Sequence, residues 1–139
     1  MLYLSMYSLN VYSIKSHQSI NPIKFNQIDE KTELAASVAE EINKDKKELR
    51  DLFERKSHPV CYDGFEPSGR MHIAQGLLRA HNTNKLARAG VKFVFYVADY
   101  FALLNLKMGG DLTKIRECGQ YFIEIWRACG MNLENVEFV

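Results

Sequence analysis

The chain has no Asp or Glu in its first 28 residues, no C-x-x-C pair, no uninterrupted apolar run of membrane length and almost no net charge. Each shortage excludes something. Cys61, Cys118 and Cys129 are odd in number and lack metal spacing, so neither a disulfide framework nor a zinc site is signalled. Cys118 and Cys129 fall on one predicted helix, where eleven positions rise about 16 Å, beyond the roughly 7 Å over which two Cα atoms can be bridged. Reduced thiols predict a cytoplasmic protein. With 18 basic against 17 acidic side chains, no net field draws the chain to phosphate or membrane, and a strongly basic nucleic-acid clamp is disfavoured, leaving RNA contact to a local patch or to protein beyond this sequence. Met1 to Ile14 is broken by Ser and Asn and has no basic start, so neither a span nor a secretory signal is expected, and the protein is expected to be soluble. The acid-free stretch 1–28 contains Lys15 and Lys24 but no Arg, which favours a weakly ordered extension over an organelle transit peptide.

What is present is ordinary globular composition over 139 residues, enough for one domain with a core. Between Asp29 and Lys56, Leu34, Val38, Ile42, Leu49, Leu52 and Phe53 recur at helical spacing and Pro59 closes the segment, so an amphipathic helix is predicted over 29–57. Its charge run from Glu40 to Lys56 reads as a solvated face. Val60 to Phe65 predicts a strand, His72 to Leu86 a helix ending before Gly90, and Val91 to Ala98 a nearly unbroken apolar strand that calls for cover on both faces. Gly109-Gly110 is a break. Asp111 is a fit N-cap for a helix through Ile115, Phe122 and Trp126 to Gly130, and Val136 to Val139 starts a third strand. Strand, helix, strand, helix, strand is the parallel crossover pattern. An α/β fold is therefore expected over 60–139, the first half of a doubly wound parallel Rossmann-like sheet preceded by a helix.

In such sheets ligands bind beyond the carboxyl ends of the strands, which places Cys61 to Gly76 at the site. The dinucleotide fingerprint G-x-G-x-x-G is absent. Gly64 and Gly69 keep the glycine spacing of a P-loop, but Arg70 and Met71 replace its Lys and its hydroxyl, leaving no magnesium ligand. A drifted P-loop binder is thereby disfavoured. What remains is a Pro-Ser-Gly bend feeding a helix whose first turn holds His72 and Gln75, three apart and on one face, beside free amides and the positive end of the helix dipole. That arrangement suits a phosphate group, and donors fixed there would stabilise charge building on a phosphoryl group under attack. Ser68 near His72 makes no hydrolase couple, since no G-x-S-x-G elbow is present.

Tyr62-x-Gly64-Phe65-Glu66-Pro67-Ser68-Gly69, followed by His72-Ile73-Ala74-Gln75, resembles the tyrosyl-tRNA synthetases of eukaryotic and archaeal type, most of all plant-like forms. His72 to Gln75 corresponds to the HIGH signature of class I aminoacyl-tRNA synthetases, and Ala98-Asp99 with Ala102 and Asn105 resembles the family stretch after the second strand. The resemblance covers about Val60 to Val139. It implies a HUP-type Rossmann domain and tyrosine-tRNA ligase activity, in which the carboxylate of tyrosine attacks the α-phosphate of ATP with Mg2+ assisting and the adenylate passes to tRNA(Tyr). It further implies that Tyr62, Gly64 and Asp99 contact tyrosine, and that Gly64, Phe65, Glu66, Pro67, Ser68, Gly69, His72 and Gln75 line the ATP region, His72 and Gln75 being catalytic. Ala74-Gln75 departs from the Gly-His ending of the signature, although Gln still donates. Lys107-Met108-Gly109-Gly110 is too early in the chain and lacks the second Lys of the KMSKS loop. That loop, the remaining tyrosine-binding residues, the insertion that makes most of the homodimer contact and the anticodon-binding part would follow Val139. The expectation is a truncated catalytic domain, inactive alone, with a non-catalytic interaction module as the alternative.

Read as residues alone, Tyr62 is either a packed strand aromatic or a substrate contact, Gln75 either a solvent-facing helix residue or a donor, and Asp99 either a cap or a ligand. Phe93, Phe95 and Tyr96 read as core strand rather than a base-stacking platform. His58 and His81 lack partners at metal spacing.

Overall fold

The computed structural model describes residues 2–4, 9–12, 25–38 and 46–139. Val60 to Phe138 folds as its spacing predicts. Strand β3 (Val60–Phe65), helix α3 (Ile73–Arg88), strand β4 (Lys92–Val97), helix α5 (Leu112–Ala128) and strand β5 (Val136–Phe138) follow in order, and β4 lies parallel to both β3 and β5. The register pairs Cys61 with Phe93, Asp63 with Phe95, Gly64 with Tyr96 and Phe65 with Val97. Because side chains alternate along a strand, Cys61, Asp63, Phe65, Phe93 and Phe95 share one face, and all five are buried. Tyr62, Gly64, Val94 and Tyr96 share the other.

Helices α3 and α5 both pack on the first face. Trp126 of α5 meets Phe65 edge-on and stacks on Phe95, each with ring centroids 4.9 Å apart, while Phe122 stacks on Phe65 at 5.7 Å and Phe138 of β5 on Phe95 at 5.4 Å. The helix ends follow local chemistry. The Asp111 carboxylate accepts from the Thr113 and Lys114 amides at 3.0 and 3.2 Å, and Gly90 and Gly130 take the left-handed conformation (φ 88° and 82°) that stops α3 and α5.

The apolar run at β4 calls for cover on both faces. Among the described residues it is covered on one: Phe93 and Phe95 are fully buried, whereas Tyr96 is 46% exposed. Between β4 and α5 the chain forms a short helix, α4 (Asp99–Leu104), and a 3-10 turn, Lys107–Gly110, where the sequence predicts only a break.

The N-terminal part differs more. Where a weakly ordered extension is expected over 1–28, the backbone places two short strands, β1 (Leu2–Leu4) and β2 (Leu9–Tyr12), with β2 antiparallel to β3 and β1 antiparallel to β2. The outer edge of β3 carries unpaired amides and carbonyls, and β2 satisfies them. The helix expected over 29–57 is two helices, α1 (Phe25–Ala36) and α2 (Lys47–Arg55). Lys46 pairs with Glu33 at 2.6 Å and Arg50 with Asp29 at 2.9 Å, so α2 runs back along α1. Two apolar stripes thereby bury each other, with Ile28, Ala35, Leu49, Leu52 and Phe53 inside. Ile42 and the start of the charge run, within residues 39–45, lie outside the described residues. No helix among the described residues is long and apolar enough to cross a membrane.

Trp126 touches every strand of the parallel set through one ring cluster and is fully buried. Trp126→Ala is expected to lower the unfolding free energy by about 3–5 kcal/mol, read as a drop in urea midpoint. A loss below about 1 kcal/mol would show that the cluster does not organise the core.

Candidate functional site

The bend after β3 is held from below by packing. Pro67 is fully buried and rests on α5 where Gly119 leaves room: a Cβ at 119 would stand 3.4 Å from Pro67 Cγ and 3.1 Å from Val97 Cγ1. Gly69, at φ 136°, turns the chain where a side chain would be strained, and its carbonyl accepts from the Cys118 thiol at 3.1 Å. Glu66 accepts from Asn105 Nδ2 at 2.8 Å, tying this bend to the segment after β4.

Helix α3 starts directly behind the bend with His72 as its N-cap. Gln75 Oε1 accepts from the His72 amide at 3.2 Å, so half of the carboxamide is spent on the helix end and its NH2 is what remains for donation. The His72 side chain faces the Gln75 amide in return, which leaves the Ile73 and Ala74 amides without a partner within the helix. Both side chains are exposed at the rim of a cavity of about 430 Å³. Its walls include Gly64, Phe65, Glu66, Ser68, Arg70, Met71, His72 and Gln75, and its floor Arg79, Phe122 and Trp126.

Six of the residues expected at the ATP region, Gly64, Phe65, Glu66, Ser68, His72 and Gln75, thus come together around one cavity. Pro67 and Gly69 do not line it and act by shaping the bend. Tyr62 is half-buried and lies on the opposite face of β3, next to Val94 and on the same side as Gly64. A Cβ on Gly64 would meet only Tyr96 Cδ1, at 3.9 Å, so packing among the described residues does not require glycine there. Asp99 is the first residue of α4, with Ala98 in the cap position, so it is not an N-cap. Its carboxylate accepts from the Tyr100 amide at 2.7 Å and from Arg116 Nε at 2.9 Å, and it does not line the cavity. The Arg116 hydrogen bond holds this carboxyl below the ordinary Asp range, with partial desolvation opposing.

Two features at the floor escape sequence reasoning. Asp63, on the buried face of β3, lies 2.8 Å from Arg79 Nη2, the two side chains being 5% and 9% exposed. Burial pushes the Asp63 carboxyl up, and the Arg79 charge and Gly64 amide pull it back. Alternation was the available signal, since an acid flanked by Cys61 and Phe65 on one strand face needs a buried partner. Gly119 carried no signal, because its role depends on which loop crosses the helix. A second cleft, of about 470 Å³, is bordered by His81, Asn84, Arg88, Asn132 and Asn135. Asn84 there donates to the Gly130 carbonyl and accepts from the Asn132 amide, a link between α3 and the start of the β5 connection. No group of three or more metal-ligating side chains occurs among the described residues.

Two outcomes follow from this geometry. Gly119→Ala would gain helix propensity of up to about 1 kcal/mol, but Val97 is a stiff β-branched side chain and Pro67 a fixed ring, so neither yields. A net loss of about 1 kcal/mol is expected, with NMR shift changes concentrated at Gly64 to Gly69; net stabilisation would refute the seating of Pro67. A depressed carboxyl contributes stability above its unfolded pKa and loses it as pH falls through the folded one. Titration of Asp99 by NMR should therefore show a midpoint below the usual Asp value, rising toward it in Arg116→Met while the Tyr100 amide still holds it down, and an unchanged midpoint would contradict the pairing.

Comparison with known proteins agrees with the fold. The family model of class I tRNA synthetases (W and Y) matches residues 54–139. Tyrosine-tRNA ligase 2, cytoplasmic, of Arabidopsis thaliana is 54% identical over 113 residues, which is 81% of this chain and 15% of that protein. Tyrosine-tRNA ligase 1, cytoplasmic, of the same plant is 44% identical over 135 residues, 96% of this chain and 35% of that protein. Leishmania major tyrosyl-tRNA synthetase in complex with tyrosinol superposes with a TM-score of 0.76 at 52% identity, over 88% of this chain and 17% of that one. The archaeal enzyme of Archaeoglobus fulgidus, complexed with L-tyrosine, gives 0.69 at 33% identity over 81% of this chain and 34% of its own. The chain thus spans between 15% and 35% of the length of the two plant relatives. It belongs to the class I tRNA synthetases of the tryptophanyl and tyrosyl family and, within it, to the tyrosyl-tRNA synthetases of eukaryotic and archaeal type, matching part of their catalytic domain.

Proposed function

We propose that this chain carries the nucleotide-binding and part of the tyrosine-binding surface of a tyrosine-tRNA ligase. The observation that supports it best is the N-terminus of α3, with His72 and Gln75 exposed together on the rim of the cavity behind the Pro-Ser-Gly bend. In the proposed reaction the tyrosine carboxylate attacks the α-phosphate of ATP, pyrophosphate leaves, and the tyrosyl group passes to tRNA(Tyr). The chain's own contribution is positional and electrostatic: the α3 amides, the His72 imidazole and the Gln75 carboxamide face charge that builds on phosphoryl oxygens.

Tyr62 would flank the substrate ring. Gly64, which packing among the described residues leaves bare, would let the backbone approach it. Asp99 would meet the substrate ammonium only by sharing the carboxylate that Arg116 already holds. Among the described residues Glu66 is the only carboxylate on the cavity wall, and it accepts from Asn105, so these residues do not form a magnesium cage. Mg2+ keeps most of its ligands as water and phosphate oxygens and would reach the site with ATP. Plant relatives named cytoplasmic support a cytoplasmic protein, and the homodimer, tRNA binding and the full cycle are proposed for the complete enzyme.

The test is calorimetric titration of the chain with ATP. His72→Ala and Gln75→Ala should each weaken binding by about tenfold, the worth of a hydrogen bond to a charged group. Affinity unchanged in both variants would sink the assignment. A second reading, a non-catalytic interaction module, draws on the half-exposed face of Tyr62, Val94 and Tyr96, and it predicts a concentration-dependent oligomer by light scattering. A cooperatively folding monomer would remove its basis.

A further inference from the structure

We propose that the buried Asp63–Arg79 pair is a positioning device that sets α3, and with it His72 and Gln75, in one register against Tyr62 and Gly64 on β3; the inference rests on the nucleotide reading of that helix end. Asp63 sits in the chain between the two residues whose backbone faces the open side of the sheet, and its side chain points to the opposite, buried face. Arg79 follows Gln75 by four residues, one turn further along the same side of α3. Their Nη2–Oδ2 distance is 2.8 Å, yet Oδ2 has no aligned hydrogen-bond donor among the described residues, so the contact is one of charge and placement. The guanidinium also lies over two rings, 5.6 Å from the Trp126 centroid and 6.0 Å from that of Phe95. Trp126 Nε1 in turn donates to the Gln75 carbonyl at 3.1 Å. Gln75 is therefore held from below by its own helix through Arg79 and from the side by the indole.

Stability alone does not account for a charged pair at this place, because apolar side chains of similar volume would hold a helix to a sheet at least as firmly. What apolar contact lacks is direction. Sliding α3 by one residue moves its N-terminus about 1.5 Å, and ligand geometry at a reacting centre loses on the order of a hundredfold for a 1 Å displacement. The ion pair penalises that slide strongly, since it would leave two buried charges apart.

The test uses the whole chain and three readouts: urea midpoint, ATP affinity by calorimetry and amide hydrogen exchange at residues 72–76. Asp63→Val combined with Arg79→Met should keep the urea midpoint near wild type while ATP affinity falls by about tenfold or more and exchange at His72 to Gly76 quickens. Arg79→Lys, which keeps the charge but not the flat guanidinium, should retain more affinity than the double variant. Wild-type affinity and exchange in a folded double variant would overturn the proposal. If the double variant does not fold, Arg79→Lys decides: weaker ATP binding by its folded fraction supports positioning, and unchanged binding with a lower midpoint overturns it. If the wild-type chain binds no ATP, the nucleotide reading falls by itself. Exchange at residues 72–76 then decides, faster exchange in the double variant supporting the register role and unchanged exchange ending it.

Discussion

The indole of Trp126 is the contact on which the rest of this structure depends. One fully buried side chain on α5 meets Phe65 of β3, Phe95 of β4 and Phe138 of β5, so a single ring system spans the whole parallel part of the sheet. Its polar edge is used as well. The N–H that would be costly to bury unpaired is satisfied by the carbonyl of Gln75, which draws the first turn of α3 onto the same cluster. Core packing and the placing of the proposed phosphate-binding turn are thereby one event rather than two.

Around that centre the bend after β3 is shaped by what is small as much as by what is polar. Gly119 makes a seat for Pro67, Gly76 lets α3 come close to Met71, Ile125 and Cys129, and Gly69 turns the backbone at a φ that other residues avoid. Removing a side chain at these points brings elements together, and the polar groups then fall into place. Glu66 reaches Asn105, and the Cys118 thiol reaches the Gly69 carbonyl. Gly64 belongs to a different class, since nothing among the described residues crowds it. A bare backbone facing an open sheet surface has no structural cause among the described residues, which is why a ligand is the economical explanation for it.

How much of this was legible in the residues depended on how local each feature is. Strand β3 starts and ends where V-C-Y-D-G-F and the following Glu-Pro imply, Gly90 and Gly130 stop their helices, and Asp111 caps α5, because each rests on backbone preferences a few residues wide. The break of the 29–57 segment into two helices was hidden, since Leu34, Leu49, Leu52 and Phe53 keep helical spacing within each piece and only the Lys46–Glu33 and Arg50–Asp29 pairs reveal the reversal. β1 and β2 are not legible in the residues because β2 pairs with the edge of a strand some fifty residues away and β1 has only β2 to pair with. At the site, the bend with His72 and Gln75 stood out from composition and spacing. Arg79 carries no such signal, because its pairing with Asp63 is a contact between two elements that no local pattern encodes.

The two faces of the sheet explain where such a site can operate. One face is finished by α3, α5 and their aromatic cluster, so it can hold an ion pair such as Asp63–Arg79 largely buried, with Arg79 at the floor of the cavity. The other face, with Tyr62, Gly64, Val94 and Tyr96, is half-open among the described residues. The end of α3 stands where the two meet, at the carboxyl end of β3. A nucleotide held by that helix end and an aromatic amino acid lying along the open face would approach each other only there, across Gly64. The finished face supplies rigidity and the open face supplies room. Neither alone would set a carboxylate against a phosphate, and β3, whose residues alternate between the two faces, brings both to the end of α3.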